Sequence, residues 1–155
     1  MEFSRKLTKY TLIAFVLIAF SSLTACDNAT SAEDEEEEPV GLRIKAGDVT
    51  IIEQLPGAQS VTGTLTINQG ASDIYTVALL GETGSEIFLD PEEHGLTFDI
   101  TDGNIVSINQ EPGLDQTYIF TLNGLAQGNT SITVNLLHEG AAEFVSQSIP
   151  VEVTN

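Results

Sequence analysis

The chain has 155 residues, a formal net charge of −18 at pH 7, one cysteine, two histidines and no tryptophan. Such an acidic surface repels nucleic acid and anionic lipid headgroups, so a nucleic-acid partner is excluded. A single cysteine also excludes a disulfide within the chain, so any folded domain must be stable through its core.

Residues 1–25 have the composition of a cleaved signal peptide. Arg5, Lys6 and Lys9 form a basic start, and an unbroken apolar run follows from Leu12 to Phe20. A membrane-spanning helix needs about 20 apolar residues, and this run is roughly half as long. The pattern therefore predicts a targeting segment that is removed after export.

The apolar run leads into Leu23-Thr24-Ala25-Cys26. This tetrapeptide resembles the lipobox of bacterial lipoproteins, and the resemblance covers residues 1–26. It implies cleavage before Cys26, a diacylglycerol on its sulfur and usually an acyl chain on the new amino group. At about 0.8 kcal/mol per buried methylene, two or more such chains make the lipid bilayer a lasting partner. The alternative is a secreted protein with an unmodified thiol.

Residues 26–39 are predicted to be a disordered acidic tether. Residues 27–39 have no large apolar side chain, and every position from Glu33 to Glu38 is acidic. Asp27 resembles an inner-membrane retention signal, whereas the acidic run resembles the surface-export signal of Bacteroidetes-like lipoproteins. The length of the run favours the outer membrane, on its periplasmic or its outer face, over the inner membrane. A solvated spacer without an address is the alternative.

Residues 40–155 are enough for one domain, and their pattern is β throughout. Short runs of alternating apolar and polar residues are separated by Gly, Pro, Asn and Asp, and no run has a sustained helical period. This predicts an all-β antiparallel sandwich or barrel of about seven to nine strands. The predicted strands are Leu42–Ala46, Val49–Gln54, Val61–Asn68, Ile74–Leu80, Leu96–Thr101, Ile105–Asn109, Tyr118–Leu122, Thr130–Leu137 and Val145–Val153.

Two segments narrow this fold further. Ile105-Val106-Ser107-Ile108, followed by the run from Leu122 to Val134 with Gly-Leu-Ala-x-Gly and Ile-Thr-Val, resembles bacterial immunoglobulin-like domains of group 2. The resemblance implies an immunoglobulin-like antiparallel β-sandwich. Leu125 is expected to fill the end of the sandwich, and Gly128 to adopt a positive φ. The chain departs from the family in a longer segment Gln110–Thr117 and in extra N-terminal strands.

Few residues are suited to catalysis. The sequence has no G-x-S-x-G elbow and no glycine-rich phosphate loop, and Cys26 is assigned to lipid. We therefore predict a protein that is not an enzyme and has no cofactor.

The candidate metal ligands are His94, His138 and Glu143. They would make a zinc or copper site only if the fold brought them together, and two surface histidines at strand ends are the simpler interpretation, so we expect no metal. The acids at positions 90, 92, 93, 99 and 102 are dense enough for calcium, but they lack a calcium-loop spacing.

The leading hypothesis is a membrane-anchored envelope lipoprotein that acts as a binding or adhesion-type interaction module for an unidentified protein or surface ligand. Two alternatives remain. One is a lipoprotein that handles a metal or small ligand, and the other is a structural accessory subunit of an envelope complex. Fold alone does not choose among them.

Overall fold

A computed structural model describes residues 37–110 and 118–155, which belong to one compact unit. The predictions for the signal peptide, Cys26, most of the acidic tether and most of the segment Gln110–Thr117 lie outside the described residues. The described part contains eleven strands: β1 Gly41–Ala46, β2 Val49–Gln54, β3 Leu65–Asn68, β4 Ser72–Leu80, β5 Glu86–Ile87, β6 His94–Ile100, β7 Val106–Asn109, β8 Ile119–Gly124, β9 Gly128–His138, β10 Ala141–Val145 and β11 Ile149–Thr154.

The strands form two sheets. The first has the order β2-β1-β4-β8-β7, with β5 also paired to β4. The second has the order β10-β9-β11-β3, with β6 paired to β9. In immunoglobulin lettering, β1-β4-β8-β7 correspond to strands A, B, E and D, and β6, β9 and β11 to C, F and G. The prediction of an all-β, immunoglobulin-like sandwich is confirmed.

Two details of that prediction are wrong. The described residues contain more strands than the expected seven to nine, because the two-residue β5 was not predicted and β10 shares only Val145 with a predicted strand. The sandwich is also not wholly antiparallel, since β3 pairs in parallel with β11. Neither a two-residue strand nor a pairing between distant segments changes the local alternation of apolar and polar residues, so the sequence pattern could not predict them.

One core lies between the sheets and draws buried side chains from both. Phe120 of β8 is 1% exposed, and its ring centroid lies 4.7 Å from that of Phe98, on β6 of the opposite sheet. The inward residues of β9 and β11 are those that the alternation predicted: Ile132, Val134, Leu136, Ile149, Val151 and Val153. Burial of these apolar side chains is what holds a domain without a disulfide together.

The predicted alternation fails near Val145. Val145 is 52% exposed, whereas its neighbours Phe144 and Ser146 are buried. The chain leaves the sheet at Ser146, whose hydroxyl accepts a hydrogen bond from the amide of Val134 and donates one to the carbonyl of Gln147. This irregular step shifts the side-chain alternation by one residue before β11 begins.

The segment after Gly124 contacts the rest of the domain through backbone hydrogen bonds, and not through the side chain of Leu125. Leu125 is 45% exposed and does not fill the end of the sandwich. Instead, the amides of Leu125 and Ala126 both donate to the carbonyl of Ile105. Gly128 has the expected positive φ, at 157°, and a Cβ there would lie 3.0 Å from the Ile105 side chain.

Candidate metal centre

The two histidines meet at the end of the second sheet. β6 and β9 are antiparallel, and their register places His94 directly opposite His138, next to the buried pair Leu96 and Leu136. The two rings stack, with centroids 4.4 Å apart and planes inclined by 24°. The pair therefore continues the stripe of core-facing residues to the end of the sandwich.

A β-bulge brings the third candidate to the pair. In β10, Ala142 is opposite Leu137 and Phe144 is opposite Leu136, so Glu143 is an extra residue with no partner in the ladder. A bulge of this kind turns the side chain away from the direction that strict alternation would give it. Its carboxylate Oε2 lies 3.3 Å from Nε2 of His94.

The three candidates thus converge, which the sequence did not predict. One donor atom from each of His94, His138 and Glu143 lies within 4.8 Å of the other two. Within residues 37–110 and 118–155 this is the one set of three His, Cys, Asp or Glu donors so closely grouped. The His94 side chain is fully buried, while 26% of the Glu143 side chain and 42% of the His138 side chain are exposed, so the group opens to solvent at both of these residues.

Two further groups, a backbone carbonyl and a carboxylate, lie next to the three candidate ligands. Nδ1 of His94 lies 3.0 Å from the carbonyl oxygen of Asp90. On the other side, Oε2 of Glu93 lies 3.7 Å from Nε2 of His138. The carbonyl of Glu93 accepts a hydrogen bond from the amide of Glu139, which ties the loop before β6 to the loop after β9. In the sequence, Glu93 belongs only to the group of acids dense enough for calcium, and its position beside His138 was not predicted.

The acidic residues considered for calcium have separate roles. Asp90 and Asp102 each accept a hydrogen bond from the backbone amide two residues later, and Asp99 accepts one from the side chain of Asn135. The hydrogen bonds from the backbone and side chain of Asn104 lower the pKa of Asp102. These carboxylates stabilise turns and strand pairs, so the described residues do not support the calcium interpretation.

A second surface feature lies on the connection between β4 and β6. The side chain of Phe88 is 95% exposed. It borders a mainly apolar groove of about 260 Å³, which is also lined by Lys45, Ile87 and Tyr118. An exposed phenylalanine beside a short strand has no sequence signature, so the sequence did not predict this surface.

The groove also adjoins the basic residues of the domain. Lys45 and Arg43 of β1 both pair with Glu86 of β5, and Arg43 also pairs with Glu53 of β2. The hydrogen bond from Lys45 is the main cause of the lowered pKa of Glu86. The cationic side chains of residues 40–155 are therefore concentrated at one corner of an otherwise acidic domain.

Comparisons with known proteins return only distant structural likenesses. No family model matches the chain, so the resemblance to group 2 immunoglobulin-like domains remains a prediction. No curated protein matches it either.

None of the secondary structure in the described part of the chain is a helix of the length and hydrophobicity needed to span a membrane.

Several solved structures are similar to the chain. Domains 4 and 5 of the S-layer protein SbsC match with a TM-score of 0.43 and 17% identity, over 76% of this chain and 66% of that one. The structure of SbsC domains 4–9 matches with a TM-score of 0.45 and 18% identity, over 76% of this chain and 14% of that one. The Lin-41 filamin domain matches with a TM-score of 0.34 and 16% identity, over 57% of this chain and 81% of that one.

Proposed function

We propose that this protein is a bacterial envelope lipoprotein whose immunoglobulin-like domain is anchored through Cys26 and acts by binding a protein partner, not by catalysis. The anchoring part is supported by the order of features in residues 1–26: a basic start, an apolar run and Leu23-Thr24-Ala25-Cys26. The acidic run from Glu33 to Glu38 supports a spacer between lipid and domain, because like charges extend a chain. Placement at the outer membrane is part of the same proposal.

The main observation in support of a binding role is the exposure of Phe88. A phenylalanine that is 95% exposed leaves a large apolar ring in water, and such side chains are enriched at protein contacts. It lies on the β4–β6 connection, which corresponds to a B–C loop. In antibody variable domains the B–C loop is one of the loops that contact antigen.

The charges around the groove specify the partner's chemistry. Arg43 and Lys45 are the basic residues of a strongly acidic domain. Lys45 lines the groove beside Phe88, and Arg43 pairs with Glu86, which also lines it. A partner that inserts an apolar side chain against Phe88 and offers a carboxylate that replaces Glu86 at Lys45 complements this corner. Over the rest of the domain, the excess of acidic residues disfavours such an acidic partner.

Replacement of the anchor cysteine tests the placement. We expect Cys26→Ala to abolish incorporation of a radiolabelled fatty acid and to move the protein out of the membrane fraction, because no other cysteine is present to take the lipid. The measurement is metabolic labelling followed by membrane fractionation. Label that persists in the variant would exclude this anchor. Protease treatment of intact wild-type cells then distinguishes the two faces of the outer membrane, since only a domain outside the cell is degraded.

Photo-crosslinking tests the binding surface. A benzophenone amino acid at position 88 is expected to give one dominant covalent partner in intact cells, because the ring points into solvent at the groove. The matched control is the same substitution at Ile74, which is 67% exposed on β4 and does not line the groove. Lys45→Glu should weaken the product at position 88. Equal products from positions 88 and 74 would contradict a docking role for this surface.

A further inference from the structure

We propose that His94, His138 and Glu143 bind one divalent transition-metal ion of the zinc class. This site goes beyond the proposed function, since neither lipid anchoring nor contact through Phe88 requires a metal. Its three donors come from β6, β9 and β10 and lie within 4.8 Å of one another. Three features of the site point to a metal ion: the orientation of the His94 ring, the spacing of the donors and the kinds of donor present.

The hydrogen bond to Asp90 determines which nitrogen of His94 carries a proton. A carbonyl oxygen can only accept, so at 3.0 Å from it Nδ1 of His94 is the donor. In a neutral imidazole the lone pair is then on Nε2, the nitrogen that metals bind when a backbone carbonyl orients the ring from the other side. When His94 is neutral, this contact thus leaves Nε2 as the nitrogen available to a metal ion.

That lone pair is directed at a carboxylate. Nε2 of His94 and Oε2 of Glu143 are 3.3 Å apart, and the His94 side chain is fully buried. Because His94 is buried, its unprotonated Nε2 and the ionised carboxylate repel each other at this distance unless a metal ion or a proton lies between them. That position holds either a metal ion, as we propose, or a proton on one of the two groups, and the experiment below distinguishes the two.

The spacing favours a metal ion. Tetrahedral zinc with bonds of about 2.0–2.1 Å places its donor atoms roughly 3.3 Å from each other. His94 and Glu143 already have this separation. The remaining donor, from His138, lies within 4.8 Å of the other two and must move inward by up to about 1.5 Å, and 42% exposure leaves that side chain room to do so.

The donor types select the class of metal. Two imidazoles and a carboxylate suit zinc, copper and nickel, whereas calcium and magnesium take oxygen ligands. Glu93, whose carboxylate lies 3.7 Å from Nε2 of His138, is near enough to supply a fourth oxygen. Its backbone is held by the hydrogen bond from Glu139, so the loop before β6 is positioned beside the site.

Calorimetric titration of untagged full-length protein in detergent with zinc chloride tests the proposal. We expect one ion per chain, and an affinity at least about tenfold weaker in Glu143→Gln and in His138→Gln, because even loss of an outer contact to a metal ligand costs that much. Glu152→Gln, on the exposed side of β11, is the matched carboxylate control and should bind as the wild type does. Calcium should give no binding that depends on Glu143.

Imidazole NMR provides a second readout. The chain has only two histidines, so every imidazole signal reports on this site. Stoichiometric zinc should shift both rings, and circular dichroism should show that the variants keep the wild-type fold. The exposed position of His138 makes His138→Gln the variant that tests the site if Glu143→Gln does not fold.

Three results would overturn the proposal. One is the absence of zinc binding to the wild type. Another is an equal loss of affinity in Glu143→Gln and Glu152→Gln. The third result is zinc binding that leaves both imidazole signals unshifted. The ions would then be bound elsewhere, for example by the acidic run Glu33–Glu38, and a proton would occupy the position between His94 and Glu143.

Discussion

Phe120→Ala is expected to lower the free energy of unfolding by about 3 to 5 kcal/mol. Phe120 lies at the centre of the sandwich, with its ring centroid 4.7 Å from Phe98 of the opposite sheet and 5.5 Å from Tyr75 of its own. Removal of the ring leaves a cavity that the two sheets cannot fully close. Because small domains have only about 5 to 15 kcal/mol of stability, the loss is a large part of the total.

The matched control is Phe88→Ala. It deletes the same atoms from a side chain that is 95% exposed, so the free energy of unfolding should change by no more than about 0.5 kcal/mol. Urea unfolding followed by circular dichroism measures both variants, since the chain has no tryptophan for fluorescence. Equally small losses would mean that Phe120 is not a central core residue, and equally large losses would mean that Phe88 has a structural role.

The inward faces of the strands were predictable because they depend only on local alternation. Ile132, Val134 and Leu136 occupy every second position of β9, and all three are buried as predicted. The same alternation failed at Val145, where the bulge at Glu143 and the irregular step at Ser146 each disturb the period. Local patterns thus predict a face as long as the strand remains regular.

The contact between the two histidines could not be predicted from local alternation. His94 comes two residues before Leu96, and His138 two residues after Leu136, so alternation alone places both on the core side of their strands. What it does not provide is the register that sets Leu96 opposite Leu136 and hence His94 opposite His138. Strand pairing between segments some 40 residues apart is a property of the whole fold.

The positions of Glu143 and Phe88 were even harder to predict from the sequence. Glu143 reaches His94 because one extra residue is inserted into β10, and bulges have no reliable sequence signal. Phe88 follows a two-residue strand in a connection, where an apolar residue is as easily buried as exposed. The sequence thus named all three candidate ligands but gave no physical reason to expect them to meet.

Gly63→Ala is the second substitution for which we expect a large loss of stability. Gly63 has φ of 99°, a conformation that costs a residue with a side chain about 1 to 3 kcal/mol. An added Cβ would also lie 2.0 Å from the carbonyl oxygen of Ile51, so the chain must move away from β2. That movement breaks the two backbone hydrogen bonds that Thr62 and Glu53 exchange.

Gly103→Ala is the control for Gly63→Ala. Gly103 lies in a turn and has no positive φ, and apart from its two chain neighbours no residue has an atom within 4 Å of its Cβ position. Its replacement should therefore leave the free energy of unfolding unchanged or raise it by up to about 1 kcal/mol. The sequence pattern predicted one continuous strand, Val61–Asn68, whereas the pairing of Thr62 with Glu53 and the later start of β3 at Leu65 require the chain to turn at Gly63. Urea unfolding decides between them: a loss confined to Gly63→Ala supports the turn, and equal stability in both variants would favour the continuous strand.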